Sequence, residues 1–382
     1  MASLVEACRF VFTPSAVARW SARTAVENIL VVQTSFLGDT VLSVPMLTAL
    51  RAALPNAKVT LLCSPAGGEL LRGHPAVDEI IIDDKKGRDH GLFGMLRKAG
   101  QLRERDFSTA LSLHKSWRSG LLLFLAGIPR RIGFRQSKAW FLFTRTVERN
   151  PALHDVQRNL SILKGLDLPL GRAELSLPVD PSVETRATEK LARLGLVPGR
   201  KVVGVNPGSV WPTKRWSAAG FARVIQILRE RHDCDVVLFG GPADEGIVAE
   251  IQKLSGERTI NIAGKLGLEE LSAAISRCDV FITNDSGPMH IAVARDVPTV
   301  AIFCATTPGL GFYPYSSKAI VLGADVRCRP CTSHGGRRCP LGTEDCIRMI
   351  LPEHVVNAAE KLLSGENIGI SRANPEPEFI TV

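Results

Sequence analysis

Short runs rich in Ile, Val and Leu punctuate the chain, and most are followed by a stretch with helical apolar spacing. In the first half the runs are Asn28–Val32, Val59–Cys63, Glu79–Ile82 and Thr109–Leu113. Between the first two, Val41, Leu42, Pro45, Leu47 and Leu50 recur at helical intervals, which predicts one helix from Gly38 to Leu54. The second half repeats the logic with Lys201–Val205, Asp235–Phe239, Thr259–Ile262, Asp279–Thr283 and Pro298–Phe303. Helices are predicted between them over residues 217–231, 244–254, 268–276 and 288–294. Near-continuous apolar strands alternating with helices indicate parallel sheets covered on both faces. The pattern therefore predicts an α/β chain of two Rossmann-like, doubly wound halves with a cleft between them. Ligands in such sheets bind outside the carboxyl ends of the strands.

The texture changes at Leu168–Pro181, which holds Pro169, Gly171, Pro178 and Pro181 and reads as the approach to a linker. A helix over 182–194 follows. The expected organisation is an extension over 1–27, domains over 28–180 and 181–350, a last helix over 351–366 and a tail over 367–382 without regular structure. The extension sets Arg9, Arg19 and Arg23 among apolar residues; it reads as a frayed end or a membrane-surface contact.

Composition narrows the partners. A chain of 382 residues with 45% hydrophobic and 22% charged residues is globular. Its longest strongly apolar stretch, Leu121–Ile128, is too short to cross a bilayer. A net charge of +9 favours an acidic partner: nucleic acid, anionic lipid or a phosphorylated substrate. An aromatic content of 6% without an aromatic-basic RNA motif argues against nucleic acid. Nine cysteines, an odd number, fit reduced thiols in the cytoplasm.

Four strand ends carry the candidate chemistry. Asn284-Asp285-Ser286-Gly287-Pro288-Met289-His290 joins a strand to a helix N-terminus, where free N–H groups and the helix dipole attract an anion. Ser286 reads equally as a plain helix cap. Thr34-Ser35-Phe36-Leu37-Gly38-Asp39-Thr40 opens a helix with an acid in its first turn, without the further glycines of a dinucleotide fingerprint or the Gly-Lys-Ser/Thr of a P-loop. Asn206–Ser217 brings Ser209, Lys214, Arg215 and two Trp into one loop, suited to clamping phosphate or, alternatively, to packing Trp216 as a hydrophobic staple. Gly240-Gly241-Pro242-Ala243-Asp244-Glu245 lets a ligand approach, with Asp244 either a ribose acceptor or an N-cap.

Together these motifs, with Ile262-Ala263-Gly264-Lys265 and Leu125–Gly133, resemble glycosyltransferase family 9, the ADP-heptose:lipopolysaccharide heptosyltransferases. The Asn-Asp-Ser-Gly form is nearest the heptosyltransferase II branch. The resemblance spans residues 28–365. It implies a GT-B fold, with the donor in the second domain, the acceptor on the first and reaction in the cleft. It implies inverting transfer of heptose from ADP-L-glycero-D-manno-heptose to the lipopolysaccharide inner core (lipid A with Kdo and heptose). Asp39 matches the family's general base. Lys214 matches its diphosphate-binding lysine, with Ser209 alongside. Asp285, Ser286 and Gly287 match the nucleotide-sugar turn, with His290 beside it. Leu266 falls near the adenine segment, while Arg215, Gly241 and Asp244 are further donor contacts. No cofactor is implied, and the lipid-linked acceptor implies peripheral contact with the inner leaflet of the cytoplasmic membrane.

The acceptor carries acidic groups, so the cations beyond the fourth strand, His114, Lys115, Arg118 and Arg131, with Gly38 at the cleft, are the candidate acceptor face; a solvated cationic surface is the alternative. Cys328-x2-Cys331 has metal-knuckle spacing, and with Cys339 and Cys346 forms a possible structural zinc set or a loop of reduced thiols. Competing functions are a GT-B transferase or epimerase using another nucleotide sugar, and a non-catalytic nucleotide-sugar binding protein.

Overall fold

The computed structural model describes residues 27–171, 174–256, 258–365 and 375–382. Its strands fall into two sheets, each wholly parallel. The first contains β1 (Asn28–Gln33), β2 (Lys58–Cys63), β3 (Glu79–Ile82), β4 (Thr109–Ser112), β5 (Arg130–Phe134) and β6 (Arg145–Val147), in the order β3-β2-β1-β4-β5-β6. The second contains β7 (Lys201–Asn206), β8 (Cys234–Leu238), β9 (Ile260–Asn261), β10 (Val280–Asn284), β11 (Thr299–Phe303), β12 (Ala319–Gly323) and β13 (Glu378–Thr381), in the order β13-β12-β11-β10-β7-β8-β9. Chain direction across each sheet reverses beside its first strand, at β1/β4 and at β7/β10. Such switch points open a crevice at the carboxyl ends of the strands.

Alternation explains why both faces are covered. In β1, Ile29 and Val31 enter one apolar cluster while Leu30 and Val32 enter another. In β10, Val280 and Ile282 face one side and Phe281 the other. Each such side chain stabilises the fold by about 1.5–3 kcal/mol when fully buried. The largest cluster is shared between the lobes: Leu61, Leu111 and Ile132 of the first belong with Val237, Phe239, Phe281 and Ile291 of the second. Helix Leu37–Val41 packs against helix Gly287–Ala294, and Pro65–Leu70 against Leu268–Ile275, so the lobes meet at helices opening from their strand ends.

Two expectations change. The single helix over 38–54 is two, Leu37–Val41 and Val44–Ala53. Pro45 has no N–H to give Val41 O, so the ladder breaks there. The tail expected to lack regular structure contains β13, which pairs in parallel with β12 from Ile320↔Glu378 to Gly323↔Thr381. Lys361 on helix Pro352–Leu363 anchors it through an ion pair to Glu378 at 2.7 Å. The expectations for residues 1–26 and 366–374 lie outside the described residues.

Candidate active site

Asp39 sits in the first turn after β1. Its Oδ2 accepts a hydrogen bond from Phe36 N at 3.1 Å. Burial, and next the charge of Asp155, raise its pKa above the ordinary 3.8, while hydrogen bonds from Ser35 and Phe36 pull it back. The adjacent Gly38 allows the close approach of the second lobe: a Cβ there would lie 2.8 Å from His290 Cδ2. Gly287 lies opposite, where a Cβ would meet Leu37 at 3.3 Å. Two glycines facing each other thus bring the acid of one lobe beside the anion-binding helix of the other.

On the second lobe, side-chain amides lock the loops together. Asn284 Oδ1 accepts from Trp216 N at 3.0 Å, and its Nδ2 donates to Pro207 O at 2.7 Å. Asn206 Nδ2 donates to Thr283 Oγ1 at 3.1 Å and Ser286 Oγ at 3.4 Å. Ser286 occupies the N-cap position of helix Gly287–Ala294, yet its hydroxyl makes no cap bond and faces Asn206 and Thr283 instead. Trp216 is buried and packs edge-on to Phe221 with centroids 5.0 Å apart, as a hydrophobic staple does. The short 3-10 helix Pro212–Lys214 carries Lys214 into the cleft, where Nζ lies 2.6 Å from Asp285 Oδ2. Thr306 Oγ1 donates to the same oxygen at 2.7 Å. His290 is buried; burial, and next the Lys214 charge, lower its pKa to about 3, so it is neutral, and its Nδ1 has no hydrogen-bond partner.

One cleft is therefore lined from both lobes: Gly38 and Asp39 on one side, Ser209, Lys214, Asp285, Ser286, Gly287 and His290 on the other. The helix N-terminus and the Lys214 ammonium, the latter paired with Asp285, give its second-lobe wall groups that can meet an anion. The lining also includes Phe36 and Trp211, which stand in the predicted motifs, and Thr307, Leu310, Phe312, Ser333 and His334, which were not anticipated. Thr307 follows β11, so the strand-end rule applied once more would have found it. No local signal marks Ser333 and His334, which sit far from any strand.

The remaining candidates lie elsewhere. Arg215 donates to Ser209 O at 2.8 Å and faces Asp244 at 3.7 Å, so it shapes its own loop. Asp244 accepts from Gly241 N at 3.1 Å. Leu266 packs against the shared apolar cluster. None of Arg215, Gly241, Asp244 and Leu266 is in the lining around Asp39 and Lys214, and Arg215 borders it through Ser209.

On the acceptor side, Lys115 keeps an exposed surface but is partly desolvated toward the cleft, and this, with the charge of Arg149 next, lowers its pKa, while Asp155 and Asp39 oppose. His114 is half-buried, with its pKa lowered to about 4 by burial and by Lys85 and Lys115. Arg118 is held by Asp83 at 2.8 Å. Arg131 overturns its expectation: it is buried, donates to Leu142 O at 2.8 Å and covers the Phe124 ring, so it cannot form a surface for an acidic ligand. Among the described residues no group of three or more His, Cys, Asp or Glu is placed to hold a metal ion, although the Cys346 thiol feels the charges of Cys328, Cys331 and Cys339. Cys346 is drawn into the second lobe's apolar core while Cys328 is exposed. The loop between these cysteines instead buttresses the cleft: Gly336 N donates to Thr213 Oγ1 at 2.8 Å, next to Lys214.

Comparison with known proteins agrees with this arrangement. The lipopolysaccharide heptosyltransferase 2 of Salmonella typhimurium is 30% identical over 361 residues, 89% of this chain and 100% of that protein. A glycosyltransferase family 9 structure from Veillonella parvula superposes with a TM-score of 0.81 at 27% identity, covering 90% of this chain and 100% of that one. The structure of E. coli ADP-heptose lipopolysaccharide heptosyltransferase II gives 0.72 at 26% identity, covering 89% and 99%. The two lobes are those of a GT-B glycosyltransferase. The family model for glycosyltransferase family 9 (heptosyltransferase) matches residues 95–340, well over half the chain, and the chain belongs to that family.

Proposed function

We propose that this glycosyltransferase moves heptose from ADP-heptose to the inner core of lipopolysaccharide, with inversion at the anomeric carbon. The observation that carries the reading is the single cleft lined by Asp39 from the first lobe and by Lys214, Ser286 and Gly287 from the second. Asp39 lies outside the residues that the family model matches, so its role rests on geometry. The acceptor hydroxyl oxygen attacks the anomeric carbon. A C–O bond forms to the acceptor as the bond to the diphosphate breaks, and ADP leaves with the electron pair. Asp39 takes the hydroxyl proton as the new bond forms. Burial raises its pKa, which makes its ionised form a stronger base than a solvated carboxylate.

Charge grows on the diphosphate as it leaves, and Lys214 with the N-terminus of helix Gly287–Ala294 stabilises it there. Lys214 is held by Asp285, which keeps the ammonium aimed into the cleft. Neutral His290 adds no charge but fills the space behind Gly38. The lipid-linked acceptor puts the enzyme at the cytoplasmic face of the inner membrane. Incubation with ADP-heptose and a heptose-deficient core acceptor, read by mass spectrometry, tests the reading. The expected product is the acceptor plus one heptose; transfer from another nucleotide sugar but not from ADP-heptose would overturn it.

A further inference from the structure

Six large apolar residues stand exposed on one part of the first lobe, although its core is well filled. They are Leu92, Phe93 and Leu96 on helix Gly91–Arg103, Trp117 opening helix Trp117–Leu125, and Trp140 and Phe141 in a short 3-10 turn. Phe93 is 86% exposed and Trp140 56%. The two helices pack together. Arg118 on the second donates to Gly91 O at 3.4 Å and Asp89 O at 3.0 Å, so their N-termini lie side by side. Trp117 stacks on Phe141 with centroids 6.5 Å apart, and Trp140 meets Phe141 edge-on at 6.1 Å. Lys138 N donates to Lys115 O at 3.2 Å, closing the patch. A continuous exposed apolar patch marks an interaction site.

Charge says what it meets. Among the exposed residues of segments 84–97, 115–121 and 138–144, the charged ones are Lys86, Arg88, Arg97, Lys115 and Lys138, and none is acidic. A second copy of this face would set cation against cation. Residues 1–26, with Arg9, Arg19 and Arg23 against Glu6, would do the same. An anionic lipid surface complements it, because interfacial aromatics seat at the headgroup level while Lys and Arg meet lipid phosphates. Position fits too. Both helices start beyond the carboxyl ends of β3 and β4, the side on which Asp39 follows β1, and Lys115 feels the charge of Asp39.

We propose that this aromatic and cationic face docks the enzyme on an anionic membrane, so that an acceptor anchored in that membrane reaches the cleft directly. The inference rests on the lipid-linked acceptor of the proposed function. Flotation of the full chain, without donor, on vesicles of phosphatidylcholine alone or mixed with phosphatidylglycerol tests it. The expected result is binding to the anionic vesicles only, weakened by salt. The double variant Phe93→Ser/Phe141→Ser should bind about tenfold or more weaker, with unchanged transfer to a delipidated, soluble acceptor. Absence of binding to anionic vesicles, or equal binding by the variant, would overturn it. So would a dimer in gel filtration that the variant abolishes, since that makes the face a self-contact. A wild-type enzyme that floats but transfers no heptose would leave the docking face standing and reject the proposed function.

Discussion

Asp39 is asked to be charged for catalysis in a place that resists charge. Burial and the neighbouring Asp155 raise its pKa above 3.8, so ionising it at neutral pH costs stability. A group whose folded pKa is raised contributes stability at low pH that is lost as pH rises through that value. Asp39→Asn keeps the shape and removes the charge. Turnover is expected to fall by about 10²–10⁴, while the thermal midpoint stays equal or rises; a variant that melts lower with near-parental turnover would reject the role. Asp39 must also be ionised to accept a proton, so the acid limb of the pH–rate profile should lie above 3.8 and be absent from the residual rate of the Asn variant. Lys214 makes the complementary case. Lys214→Ala should weaken ADP binding by about 1.5–3 kcal/mol, the range for a charged hydrogen bond, as calorimetry would read. Position marked both residues only as candidates, Asp39 in the turn after β1 and Lys214 in the loop after β7, and it was the resemblance that gave each its role. Arg131 was misread because two adjacent arginines in a strand face opposite sides; Arg131 turns inward to cap carbonyls while Arg130 stays half-buried.

At the level of elements, the site depends on two helices approaching as closely as Gly38 and Gly287 permit. In Gly38→Ala the new methyl would press on the buried ring of His290, 2.8 Å from its Cδ2. Helix Leu37–Val41 must then shift, and Asp39 with it. Because the donor site lies on the other helix, the expected result is a drop in kcat of about tenfold to a hundredfold with ADP affinity within a few-fold of the parent. Equal losses in both would place the glycine in donor binding instead. Nine of the thirteen strands could be read from their apolar runs, since strands buried on both faces leave such runs, but β5, β6, β12 and β13 were missed, as were the helices Pro65–Leu70, Gly91–Arg103, Trp117–Leu125 and Asp155–Leu160. The exceptions have physical reasons. β5 opens on Arg130 and Arg131, β6 on Arg145 and β13 on Glu378, so none of them shows the uninterrupted apolar run by which the others were read. The helix break at Pro45 is a local rule that a window of apolar spacing averages away. Thr307, Leu310, Phe312, Ser333 and His334 come to the cleft through tertiary packing, which no local pattern encodes.

Over the whole molecule, the lobes are held in register by groups whose state depends on pH. His154 opens helix Asp155–Leu160 of the first lobe. Its Nδ1 accepts from Val156 N at 3.2 Å, so the proton sits on Nε2, which donates to Tyr313 O of the second lobe at 2.8 Å. The ring stacks on Tyr315 at 4.7 Å and leans on Tyr313 at 4.5 Å. Next along, Asp155 N donates to Gly311 O at 2.9 Å, and Arg158 donates to Leu310 O at 3.0 Å, so this one helix secures the loop carrying Leu310 and Phe312 into the cleft. Protonating His154 would lose the Val156 bond and bury a cation near Arg158 and His290. Burial therefore lowers its pKa from 6.5 to about 3. A depressed folded pKa means that the unfolded chain takes up the proton first. Stability is complete above 6.5 and is lost as pH falls toward about 3, with a slope of up to about 1.4 kcal/mol per pH unit. His290, also near 3, adds to the same loss, and Asp39 opposes it at the acid end. Urea unfolding across that range should show the decline, and His154→Gln, which cannot take up a proton, should flatten part of it while starting from a lower value. Because the largest apolar cluster is shared by both lobes, the loss should appear as one cooperative transition. A parent whose stability stayed level down to pH 4, or a Gln variant with an unaltered slope, would show that this histidine does not tie acid sensitivity to the closure of the cleft.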